Sequence, residues 1–123
     1  MSSKKILIVE DEQPLNEALR DKLSDAGFDV SVATDGEAGL KHAQDNNPDL
    51  ILLDILMPEM GGLEMLTHLR HDDNLKEVPV IILTNMENKE SIADAILEGV
   101  SDYFIKADMR LDDLVSKIKA KLN

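Results

Sequence analysis

Leu50-Ile51-Leu52-Leu53-Asp54 is a run of four apolar residues stopped by a carboxylate. Such a run, with no alternation of polar and apolar positions, suits a strand buried on both faces of a parallel sheet, where both rows of side chains point into apolar layers. Outward from it the pattern recurs: Ile6-Leu7-Ile8-Val9 before Glu10-Asp11, Val80-Ile81-Ile82-Leu83 before Thr84, and Tyr103-Phe104-Ile105 before Lys106, with Phe28 to Ala33 as a further strand. Ligands of open parallel sheets bind beyond the carboxyl ends of the strands. Glu10, Asp11, Asp54, Thr84 and Lys106 are therefore expected at one rim.

Helical periodicity fills the gaps between these runs. Leu15, Ala18, Leu19, Leu23 and Ala26 form a stripe between Pro14 and Gly27, with proline early and glycine past the end. Asp35-Gly36 opens a second helix carrying Ala38, Leu40 and Ala43; it stops before Asn46-Asn47-Pro48, because a residue preceding proline is pushed out of helical geometry. Leu63, Leu66 and Leu69 mark a third helix after the loop Met57 to Gly62. A fourth starts at Asn88 or Ser91, with Ile92, Ala95 and Ile96 facing inward before Gly99, and Leu111, Leu114, Val115, Ile118 and Leu122 mark a fifth. Five strand-then-helix units with short right-handed crossovers predict a doubly wound α/β sandwich, helices on both faces of a five-stranded parallel sheet.

The chain of 123 residues is the size of one domain, here expected to span 1–123. It has no cysteine, which excludes a disulfide framework, a thiolate metal site and a cysteine nucleophile. The apolar run after Lys4-Lys5 is too short for a signal peptide or a membrane span, so a cytoplasmic location is expected. Thirteen basic against 25 acidic residues give a formal charge of −12, which disfavours direct binding of this chain to nucleic acid or to an anionic membrane. Most of these acids are expected on solvated helix faces.

Two carboxylates after one strand and a third at the end of another suit a hard cation such as Mg²⁺, which keeps positions open for phosphate oxygens. Without the ion, the clustered carboxylates should repel and raise one another's pKa. A carboxylate also serves as a nucleophile toward phosphorus, provided cations neutralise the charge that collects there. Lys106 supplies a second cation, and Thr84 a hydroxyl donor at the same rim.

The chain resembles the receiver domains of bacterial two-component response regulators from about Lys4 to Leu122. The resemblance rests on Ile6-Leu7-Ile8-Val9-Glu10-Asp11, on Leu52-Leu53-Asp54-Ile55-Leu56-Met57-Pro58 with Gly61-Gly62, on Ile82-Leu83-Thr84, and on Asp102-Tyr103-Phe104-Ile105-Lys106. It implies a flavodoxin-like fold of strand order 2-1-3-4-5. It further implies that Asp54 accepts phosphate from the phosphohistidine of a sensor histidine kinase or phosphotransfer protein. Glu10, Asp11 and Asp54 would hold Mg²⁺ with the backbone carbonyl of Leu56, and Thr84 and Lys106 would contact the phosphoryl group. Tyr103 resembles the family's aromatic switch residue, which moves inward as the threonine is drawn to the phosphate. Tyr103 and Lys106 lie an odd number of residues apart, so on one strand they project to opposite faces.

Two positions depart from the family pattern. Ala107 stands where a proline with a cis peptide is usual, which leaves the isomer before it open, and Asn85 is larger than the usual neighbour of the threonine. Leu56 and Met86 occupy positions that tune hydrolysis in this family. Both are apolar and unable to orient water, so a long-lived phosphorylated form is expected.

The expected function is a phosphorylation-dependent switch without metabolite turnover, presenting helix 4, strand 5 and helix 5 to a downstream protein as a monomer or a phosphorylation-dependent dimer. A receiver-like module that no longer takes phosphate is the competing interpretation, against which the intact acidic trio, Thr84 and Lys106 argue. A phosphatase or mutase would want a second carboxylate two residues after the nucleophile, where Leu56 stands. A dinucleotide-binding module would want a glycine-rich loop after the first strand. His68 and His71 with Asp72 form a much weaker metal candidate.

Overall fold

The computed structural model describes residues 3–55, 60–84 and 89–122. Among them, strands and helices alternate as β1 (Lys5–Val9), α1 (Gln13–Asp25), β2 (Asp29–Ala33), α2 (Gly36–Asn46), β3 (Leu50–Asp54), α3 (Gly62–Arg70), β4 (Val80–Thr84), α4 (Lys89–Leu97), β5 (Asp102–Ile105) and α5 (Leu111–Leu122). The five strands are parallel in the order β2-β1-β3-β4-β5, the expected flavodoxin-like arrangement. Asn88, one of the two starts considered for the fourth helix, lies outside the described residues, and the helix is already formed at Lys89.

Local chemistry accounts for the helix ends. Pro14 sits in the first turn of α1, where its missing N–H costs nothing. Asp35 caps α2, its Oδ1 accepting from the Ala38 N–H at 2.7 Å. Asn47 closes α2 in the left-handed region, φ +47°, directly before Pro48.

The sheet separates two apolar layers, and residue parity sends each strand residue to one of them. Leu7, Val9, Ile51, Leu53, Val80 and Ile82 pack with Ala43 of α2, Met65, Leu66 and Leu69 of α3, and Ala95 of α4. Ile6, Ile8, Leu50, Leu52, Ile81 and Leu83 pack with Leu19 and Leu23 of α1 and Leu114 and Ile118 of α5. Every residue of β3 and β4 is buried, as uninterrupted apolar runs in central strands require. Asp54 and Thr84 are the last residues of these two strands, so the rim is fixed by the best-packed part of the molecule.

Candidate functional site: a carboxylate cluster around Lys106

β1 delivers Glu10 to the rim one residue after its last strand position, held there by the Glu10 N–H donating to the Ala33 carbonyl at 3.0 Å. Glu10 is fully buried, Asp54 and Thr84 are nearly so, and Asp11 is exposed. Carboxylate oxygens of Glu10, Asp11 and Asp54 lie within 4.8 Å of one another, the single group of three or more such ligands among the described residues. His68 and His71 are exposed and belong to no such group; the Nδ1 of His71 lies 2.8 Å from the Thr67 carbonyl of its own helix.

Lys106 reaches into this cluster. Its Nζ lies 2.8 Å from Glu10 Oε1, 3.0 Å from Glu12 Oε1 and 3.1 Å from Asp54 Oδ2. The expectation that Tyr103 and Lys106 share an extended strand is corrected here: β5 ends at Ile105, and Lys106 begins a short 3₁₀ turn to Asp108. The lysine therefore approaches the cluster from a turn rather than by strand alternation. No cis peptide occurs among the described residues, so the bond joining Lys106 to Ala107 is trans. Tyr103, on the edge strand, is 43% exposed.

Burial, opposed by the close Lys106 ammonium and by the hydrogen bond from the Glu12 N–H, pushes the Glu10 carboxyl up from an ordinary 4.5 to about 7. Repulsion by Asp54 raises it as the clustering of carboxylates leads one to expect, but contributes less than burial, so desolvation is the main cause. Burial alone would lower the Lys106 ammonium pKa. The carboxylates of Glu10, Glu12 and Asp54 outweigh it and hold the lysine above its ordinary value, so it stays charged.

Two further residues complete the site. Glu12, the N-cap of α1, donates its N–H to Glu10 Oε2 at 3.0 Å while its carboxylate holds Lys106. The buried Asn16 Nδ2 donates to the Glu10 carbonyl at 3.0 Å and fixes the backbone at the turn. Asn16 carried a detectable signal: it lies at i−3 from Leu19 and i−7 from Leu23, a polar residue on the buried stripe. Glu12 carried none, being one more acid in an acidic loop. Gly62 lets the start of α3 touch the end of β3, where a Cβ would fall 2.7 Å from Ile55 Cα and against the Asp54 carbonyl. Leu56, Asn85 and Met86 lie outside the described residues.

The donor set fits a hard divalent cation. Glu10 Oε1 is buried with no hydrogen bond in good geometry, its close partner being the lysine ammonium, and two further carboxylates are in reach. Receiver domains bind Mg²⁺ at an acidic cluster of this kind.

A parallel α/β sandwich with carboxylates, a threonine and a lysine gathered at its carboxyl rim defines the class: a flavodoxin-like signalling domain rather than a dinucleotide-binding one. Residues 6–119 match the response regulator receiver domain, and the chain belongs to that family. It is 36% identical over 122 residues to the transcriptional regulatory protein PrrA of Mycobacterium leprae, covering 99% of this chain and 51% of the relative. It is also 36% identical over 118 residues to the response regulator ArlR of Staphylococcus saprophyticus, covering 96% and 52%. The chain thus spans about half the length of the curated relatives it matches. Among solved structures, the Vibrio cholerae chemotaxis protein CheY4 superposes with a TM-score of 0.89 at 27% identity, covering 97% of this chain and 98% of that one. A CheY-like receiver domain protein of Methanospirillum hungatei gives 0.91 at 29%, covering 98% and 94%. The chain is a receiver domain of two-component response regulators, and the family implies phosphorylation-dependent signalling. Among the described residues no helix is long and apolar enough to cross a membrane.

Proposed function

We propose that Asp54 is the phosphoryl acceptor of a single receiver domain spanning residues 1–123, and that Glu10, Asp11 and Asp54 hold the Mg²⁺ on which the transfer depends, with Leu56 supplying its backbone carbonyl. A carboxylate oxygen of Asp54 attacks the phosphorus of a partner's phosphohistidine; the new P–O bond forms as the P–N bond breaks, and the imidazole leaves. Bound Mg²⁺ would neutralise charge on the phosphoryl oxygens. Lys106 carries the second positive charge and turns from Glu10 and Glu12 toward the incoming oxygens, while the Thr84 hydroxyl donates to one of them. Moving Thr84 then frees space for Tyr103, which biases the surface of α4, β5 and α5 toward its downstream protein.

The observation that carries this proposal is the burial of Asp54 within 3.1 Å of a lysine that also holds Glu10. Carboxylates gathered around one cation beside a strand-end threonine serve phosphoryl chemistry better than they serve stability, since burying such charges costs more than hydrophobic packing of the same volume. Intact mass after incubation with acetyl phosphate tests it. One phosphate gained with Mg²⁺, lost with chelator and absent in Asp54→Ala is the expected result; no gain in the native chain, with beryllofluoride and Mg²⁺ also leaving the amide spectrum unchanged, would favour a phosphate-independent module.

A further inference from the structure

A groove of about 310 Å³ lies between α3 and the end of α4. Leu63, Glu64 and Thr67 line one side, and Asp94, Leu97 and Glu98 the other. Leu97 is 85% exposed, more than Ile96 or Tyr103. A leucine left in water forgoes the free energy of burial, and here it stands over an apolar neighbour, the half-buried Leu63.

The groove's charge is of one sign. Among the described residues, no basic side chain lies within salt-bridge distance of Glu64, Asp94 or Glu98, whereas Asp21, Asp45, Asp73 and Asp112 on other helices and loops each have one within 3.9 Å. Arg70, the last residue of α3, attracts Glu98 and offsets part of that charge, but its donors are committed to main-chain carbonyls, Nε to Glu98 at 2.9 Å, Nη2 to Gly99 at 3.1 Å, and Nη1 to Lys76 at 3.1 Å and Val78 at 3.0 Å, so Glu64 and Asp94 keep the rim acidic. These bonds staple the end of α4 to α3, so the groove is formed before any partner arrives and little ordering cost remains.

We propose that this groove docks a basic amphipathic helix of a partner protein, with a leucine-sized anchor seated against Leu63 and Leu97 and flanking lysines or arginines facing Glu64, Asp94 and Glu98. Helix-in-groove recognition needs this combination of apolar floor and charged rim. A second copy meeting this face about a two-fold axis would oppose like carboxylates, and a nucleic acid backbone would be repelled outright. The groove shares α4 with the surface of α4, β5 and α5 but joins it to α3 instead of β5, and it requires no phosphoryl group.

The test is titration of the ¹⁵N-labelled unphosphorylated protein with a synthetic helical peptide bearing leucines at i and i+4 flanked by lysines, beside a control in which serines replace the leucines. Shifts centred on Leu63, Thr67, Asp94 and Leu97 are expected. Binding should weaken by at least about tenfold in Leu97→Ser and in Glu64→Lys with Asp94→Lys, and should fall with salt. Equal binding of the serine peptide, shifts centred on Glu10 and Asp54 or on Tyr103, or a Leu97-dependent dimer in sedimentation would each overturn the proposal.

Discussion

Glu10 offers a quantitative test of the site's electrostatics, because a buried carboxyl held near 7 must appear in the pH dependence of folding. Below its ordinary value of 4.5 the group is protonated in both folded and unfolded chains and contributes nothing. Between 4.5 and about 7 the folded chain keeps a proton that the unfolded chain releases, so stability falls as pH rises. The slope approaches about 1.4 kcal/mol per pH unit, and the total loss is on the order of 3 kcal/mol once pH passes the folded value. Glu10→Gln removes the titrating group while keeping its shape, so the stability difference between variant and native chain should widen by that amount across the window and then stay constant. Urea unfolding followed by far-ultraviolet circular dichroism is the suitable assay, since the chain has no tryptophan and one tyrosine. Chelator must be present, because a cation competes with the proton for the same oxygens; conversely, Mg²⁺ affinity should fall as pH drops below about 7 and level off above it. Parallel pH profiles for the two proteins in chelator would refute the account and place the Glu10 proton elsewhere.

The remaining predictions concern the groups around it. Lys106→Met leaves Glu10 and Asp54 buried without their cation and should cost about 3–5 kcal/mol at neutral pH, partly restored by Mg²⁺, as a thermal shift with and without the ion would show. Asn16→Ala strands the Glu10 carbonyl and should cost about 1–3 kcal/mol in urea unfolding, weakening Mg²⁺ binding as the turn relaxes. Gly62→Ala drives a Cβ against the main chain of Asp54 and Ile55; overpacking of about 1–3 kcal/mol should exceed the roughly 1 kcal/mol that alanine gains in a helix, giving net destabilisation by calorimetry. Leu56→Asn with Met86→Glu should shorten the lifetime of the acetyl-phosphate-labelled protein, and an unchanged decay of the phosphorylated mass would remove the link between apolar side chains and persistence.

The fold was legible because β3 and β4 are buried along their whole length, so their sequences are apolar throughout and end abruptly in Asp54 and Thr84. Strand order was not legible from periodicity: β1, β3 and β4 share one apolar signature, and the mixed runs of β2 and β5 do not say which central strand each adjoins; it came from family resemblance. Glu10, Asp11, Asp54 and Lys106 were legible as strand-end chemistry, and the structure brings them together. The approach of Lys106 was misjudged because parity holds only while the backbone stays extended, and the chain turns at that residue. Glu12 and the Arg70 staple were beyond reach, as their partners lie 94 residues away in one case and are backbone carbonyls, which no side-chain pattern announces, in the other.

The alternation of Leu52 and Leu53 between layers has a consequence for how this domain tolerates change. Adjacent residues of one strand serve separate interiors, one shared with α1 and α5 and the other with α2, α3 and α4. Side chains on opposite faces of the sheet do not touch, so substitutions such as Leu52→Val and Leu114→Val should interact strongly, while Leu52→Val and Leu66→Val should add nearly independently. The sheet acts as a septum, letting one interior be rebuilt while the other keeps the carboxyl rim in register.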